Sequence, residues 1–141
     1  MAAATSAIDR LIDASEGQPR TTMLLAQQSH AELIDLSETR LDDAIVIRGI
    51  ERAMRADRLR QVQVLEQINQ LGRYGHRVAQ RVARGESPWQ GIPPEQARRV
   101  LGALERAGIV MQGAERGSWA VIDPLFRRYL ATPPHDRPRV P

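Results

Sequence analysis

Apolar residues recur at helical spacing through most of this chain, and the recurrence stops where Gly, Pro or Asp punctuates it. The punctuation is clearest over residues 95–130. Ala97, Val100, Leu101, Leu104 and Ala107 mark one face of a helix. Pro94 suits its first turn, where no N–H is needed, and Gly108 ends it by taking a left-handed conformation without strain. Two short β-type runs follow, residues 109–111 and 119–122, with Gly113 and Gly117 bounding the loop between them. This pattern predicts a hairpin whose loop is longer than two residues. Asp123-Pro124 then supplies an N-cap and a first helical residue. Leu125, Phe126, Tyr129 and Leu130 give the last helix an apolar face.

Upstream, residues 1–15 read as an Ala-rich helix with Ile8, Leu11 and Ile12 on one side. Its opening Met-Ala-Ala-Ala is expected to be frayed, or to be an accidental start within a longer reading frame. Pro19 starts a second helix reaching about Leu36, with Met23, Leu24, Ala26, Gln27, Ala31, Leu33 and Ile34 as its apolar stripe. Asp42 is the expected N-cap of a third helix, with Asp43 in a first turn that favours acids. That helix buries Val46, Ile50, Ala53 and Met54, and Gly49 weakens it by about 1 kcal/mol relative to Ala. Residues 58–84 continue as helix, broken at Gly72 or Gly75, with Val62, Leu65, Ile68, Leu71, Val78 and Val82 recurring every three or four positions. Residues 85–94 hold two Gly and three Pro around Trp89, leaving room for at most one helical turn. Residues 132–141, with four Pro, are expected to form a disordered or polyproline-like tail.

Composition narrows the chemistry. The chain has 141 residues, enough for one domain or two small ones, and no cysteine, which excludes disulfides and thiolate metal sites. All 20 basic residues are Arg. Without Lys there is no P-loop lysine, no Schiff base and no general-base amine. Residues 1–60 carry 8 Arg against 10 acids and residues 61–141 carry 12 against 7, so the net +3 is unevenly placed. A basic second half permits contact with nucleic acid. No aliphatic run is long enough to span a membrane, so a cytoplasmic protein without membrane contact is expected. His30, His76 and His135 show no metal-ligand spacing.

The segment Gly117-Ser118-Trp119-Ala120-Val121-Ile122-Asp123-Pro124-Leu125-Phe126-Arg127-Arg128-Tyr129-Leu130 resembles the end of the winged-helix domains that close many AAA-type/STAND-like P-loop ATPases of bacteria and archaea. Gly17-Gln18-Pro19-Arg20, followed by helices, is similar to the start of the helical lid of the same ATPases. The resemblance implies a mainly α fold with a small β-hairpin: a helical lid bundle over residues 1–57, a winged-helix domain over 58–131 and the tail over 132–141. It also implies that Arg20 is a sensor-2-like residue that meets the terminal phosphates of a nucleotide held by a separate or upstream P-loop core. Read without the resemblance, Arg20 is a solvated residue whose charge opposes the helix dipole. The chain alone is then not an enzyme and holds no cofactor, with ATP and Mg relevant only alongside such a core.

The partners implied are that ATPase core, another protein, or duplex DNA met through its phosphates. A free-standing winged-helix DNA-binding regulator is the alternative. Arg98, Arg99 and Arg106 on the helix over 95–107, with Arg116 at the wing tip, are the candidate phosphate contacts. Glu95, Glu105 and Glu115 among them fit an ordinary solvated face equally well. Only Gln96 and Gln112 are placed to read bases. Trp89 and Trp119 are read as core anchors, and a buried Trp119 would lose about 3–5 kcal/mol on truncation to Ala.

Overall fold

A computed structural model describes residues 2, 3 and 5–137. Among these, seven α-helices dominate, with two small two-stranded sheets. The chain divides into two compact units, Met1–Arg58 and Leu59–Pro141.

In the first unit, α1 (Thr5–Ser15), α2 (Pro19–Asp35) and α3 (Asp43–Ala56) pack on one another. Two residues of the opening segment, Ala2 and Ala3 (β1), pair in parallel with Arg40 and Leu41 (β2), so helix begins only at Thr5. The expected fraying of Met1 and Ala4 lies outside the described residues. Asp42 caps α3 as the sequence predicts, accepting from the Ile45 N–H at 2.9 Å.

The inward faces of α1 and α2 differ from those the sequence suggests. On α1, Ala7 and Ala14 are buried and Leu11 half-buried, while Ile8 and Ile12 are exposed. On α2 the buried line is Thr21, Leu25, Ser29 and Leu33, and Met23 and Ile34 stand 60% and 59% exposed. On α2 the reason is the close approach of α3. A Cβ built on Gly49 would lie 2.8 Å from the Cα of Ser29, so at this crossing the side chain of Ser29 fills the space that Gly49 leaves empty. At this crossing a small residue therefore takes the inner face of α2, between the buried Leu25 and Leu33. Arg52 of α3 fastens the same pair of helices, donating to Gln28 at 3.1 Å and to Asp35, with Glu32 at 3.5 Å.

In the second unit, α4 (Arg58–Asn69) and α5 (Gly75–Ala83) are separated by a break over residues 70–74 that contains Gly72. Between α5 and α6 (Pro94–Arg106) there are only turns, as the Gly and Pro content there requires. Ala97, Val100, Leu101 and Leu104 form the buried face of α6. Gly108, at φ +75°, then turns the chain so that the Ile109 N–H reaches the Leu104 carbonyl at 2.9 Å. Strands β3 (Val110–Gln112) and β4 (Trp119–Val121) pair antiparallel, with Val110 opposite Val121 and Gln112 opposite Trp119. Asp123 caps α7 (Pro124–Ala131), accepting from Leu125 N–H at 3.0 Å and Phe126 N–H at 3.4 Å. Its other oxygen takes Arg60 of α4 at 2.6 Å.

Of the tail expected over 132–141 to be disordered or polyproline-like, residues 132–137 are described, and Thr132, Pro133 and Arg137 have extended, polyproline-like backbone angles there. Residues Pro134–Asp136 form a 3-10 turn, and Arg137 folds back onto the end of α7. Its guanidinium donates to the carbonyls of Tyr129, Leu130 and Thr132 at 3.0–3.2 Å and lies over the Tyr129 ring at 4.8 Å. One arginine thereby satisfies carbonyls that every helix end leaves unpaired. Residues 138–141 lie outside the described residues.

Candidate nucleic-acid interface

Because α6 buries Ala97, Val100, Leu101 and Leu104, the positions between them face solvent. Arg98, Arg99 and Arg106 are exposed there, and Arg116 is exposed in the loop joining β3 to β4. Arg99 donates to Gln96 one turn back at 2.7 Å. Among the described residues, no carboxylate lies within ion-pairing distance of Arg98, Arg99 or Arg116. The arginines of the first unit behave differently where acids are near: Arg10 meets Asp43, and Arg52 meets Glu32 and Asp35.

Arg20, the sensor-2-like candidate, is also engaged. Its guanidinium lies 2.8 Å from Asp57, whose side chain is only 5% exposed. Asp57 follows the last residue of α3, at its C-cap. A carboxylate buried to that degree needs a cationic partner, because desolvation without one is costly. The sequence offered no signal for this pair, since the two residues are 37 positions apart.

Trp89 and Trp119, read as core anchors, are half-buried rather than fully enclosed. They line an open cleft of about 220 Å³ with Val82, Glu86, Pro88 and Ser118. Trp89 lies in the turns between α5 and α6. Trp119 begins β4, paired with Gln112 next to the hairpin loop, and among the described residues no third strand flanks the hairpin. The core of this unit is filled instead by Leu101, Leu104, Val110, Val121, Leu125 and Leu130. The full-burial cost for Trp119→Ala does not apply at this exposure.

His76 lies near the start of α5, with its Nε2 3.4 Å from the Arg137 guanidinium. Burial, then the charges of Arg137 and Arg84, hold its pKa below the ordinary 6.5. Desolvation likewise lowers the Arg137 pKa, opposed by Tyr129. The folded chain therefore binds the His76 proton less readily than the unfolded chain. Its contribution to stability is complete above about pH 6.5 and is lost as pH falls below it. The melting temperature is expected to drop between pH 7.5 and 5.5, and His76→Gln to make that drop smaller. An equal drop in both chains would mean that His76 does not carry it.

Among the described residues no group of His, Asp or Glu side chains could hold a metal ion, and no helix is long and apolar enough to cross a membrane. Comparison of the chain with protein-family models, with curated proteins and with solved structures finds no match.

Proposed function

We propose that the chain is a non-catalytic interaction module, a lid-like helical unit followed by a winged-helix-like unit, and that the second unit meets duplex DNA through its phosphates. The observation that carries this reading is the exposure of Arg98, Arg99 and Arg116 without carboxylate partners among the described residues, on the helix before the hairpin and in the hairpin loop. Guanidiniums in that condition exchange water and counterions for phosphate at little cost, whereas one already held by a buried acid does not. The turns between α5 and α6 support a contact blind to sequence. There is no helix there to brace α6 deep in a groove, and apart from the arginines themselves only Gln96 and Gln112 offer base-reading groups.

Contact with a P-loop ATPase core through Arg20 is the reading with less support. Arg20 would have to leave Asp57, and a nearly buried carboxylate would lose that partner. The absence of Lys and of any phosphate-cradling glycine loop supports a chain with no ATP hydrolysis of its own.

Fluorescence anisotropy with two unrelated duplexes across a salt series tests the proposal. Binding is expected at an affinity on the order of micromolar and nearly equal for both. Replacing Arg98, Arg99 and Arg116 together by Ala should reduce the salt slope by about three, one for each phosphate no longer neutralised. A thousandfold preference for one duplex would instead establish a sequence-specific regulator. No binding to either at low salt would overturn the DNA reading and leave a module that meets protein.

A further inference from the structure

The cleft between the α5–α6 turns and the hairpin is not used by the phosphate contacts. Its two indoles are the only tryptophans in the chain. Among the described residues neither indole N–H has a hydrogen-bond partner, and neither nitrogen is among the buried unsatisfied atoms, so both donors are open to solvent. Pro88 and Val82 add apolar wall, and Glu86 is the one charged residue of the lining. The hydroxyls are already directed elsewhere: Ser87 accepts from the Trp89 N–H of the backbone, and Ser118 donates to the Glu115 carbonyl.

Such a site offers flat apolar faces, spare donors and one negative charge. The complementary ligand has apolar rings, carbonyls without competing N–H groups, and a cation. A polyproline-type strand meets the first two requirements, because proline lacks the N–H and the extended helix leaves its carbonyls solvated. Aromatic-lined grooves recognise such strands in this way. The sequence Pro138-Arg139-Val140-Pro141 supplies two such prolines three positions apart, with an arginine between them. Prolines three positions apart share one face of any strand with three residues per turn, and the arginine supplies the cation.

We propose that residues 138–141 of one copy of this chain dock in the Trp89–Trp119 cleft of a second copy. The direction of the described backbone selects a second copy. Arg84, at the end of α5, donates to the Ala131 carbonyl, whereas Arg137 lies beside His76 at the start of α5. Residues 131–137 thus run along α5 away from Val82 and Gly85, where the cleft opens. Reaching its own cleft would require the chain to double back, and a neighbour's cleft imposes no such reversal.

Both tryptophans lie in the cleft, so intrinsic fluorescence reports occupancy directly. A synthetic peptide of residues 132–141 titrated into the full chain should give a saturable change in tryptophan emission. A peptide with Pro138→Ala and Pro141→Ala should bind at least tenfold more weakly. Glu86→Arg in the chain, a change at an exposed side chain, should weaken the native peptide at least tenfold at an unchanged melting temperature. Sedimentation equilibrium should show the chain self-associating, and the Pro138→Ala, Pro141→Ala chain remaining monomeric. The proposal is overturned if the native and substituted peptides change the emission equally, if neither changes it, or if the two chains associate alike.

Discussion

Gly49→Ala is expected to destabilise the chain by about 1–3 kcal/mol, although Ala in an unobstructed helix would gain about 1 kcal/mol over Gly. The added methyl would lie 2.8 Å from the Cα of Ser29 and 2.9 Å from its Cβ. Neither atom can rotate aside, so α2 and α3 must separate. That loosens the packing around Leu25, Leu33, Ile45 and Ala53, all of them buried. Ser29→Ala acts on a different quantity. The Ser29 hydroxyl is buried without a hydrogen-bond partner. Removing it is expected to leave stability unchanged or raise it by about 1 kcal/mol. The double variant should recover little of the Gly49→Ala loss, because the Cα and Cβ of residue 29 remain in the way. Urea midpoints of the three variants decide the matter. A Gly49→Ala chain as stable as the parent would show that the two helices are not held at this spacing.

Asp123→Ala is expected to cost about 2 kcal/mol, the sum of a missing cap and a missing ion pair. One carboxylate oxygen satisfies two N–H groups at the start of α7, and the other takes Arg60. The side chain is 16% exposed, which lets water replace only part of these bonds. Asp123→Asn keeps an acceptor for the cap and removes the charge, so it should fall about midway. Urea denaturation separates the two contributions. Equal losses for Ala and Asn would assign the whole effect to the charge and none to the cap.

Both predictions rest on residues whose importance was unequally visible. Asp123 is a short-range case. An acid followed by Pro before Leu-Phe specifies its own cap, because donor and acceptor are two or three residues apart. The same holds for Asp42 before α3, Pro94 at the start of α6, and Gly108 at its end. The Gly and Pro around Trp89 forbid a helix there by backbone geometry alone. Arg98, Arg99 and Arg116 were legible as exposed for a related reason: each falls between apolar positions or in a loop, and no packing partner is needed to turn it outward.

Gly49 is the opposite case. Within its own helix it is only a weak point, and its place becomes intelligible when Ser29, twenty positions earlier, lies against it. The stripe on α2 fails in the same way. Met23, Leu24 and Ile34 form as good an apolar face as Leu25 and Leu33, but the closeness of α3 admits Thr21 and Ser29 instead.

What the sequence by itself determined was therefore the set of helices, their caps and stops, the hairpin, the lack of any lysine chemistry and the basic second half. These follow from backbone restrictions and hydrogen bonds spanning a few residues, and from composition. What only the tertiary structure decided was which face of α1 and α2 turns inward, that Arg20 is held by Asp57, that Arg137 closes the end of α7, and that the two tryptophans share a cleft. Each of these depends on the distance between elements far apart in the chain. That distance is set by how side chains of particular size fit together, which periodicity along one helix does not encode.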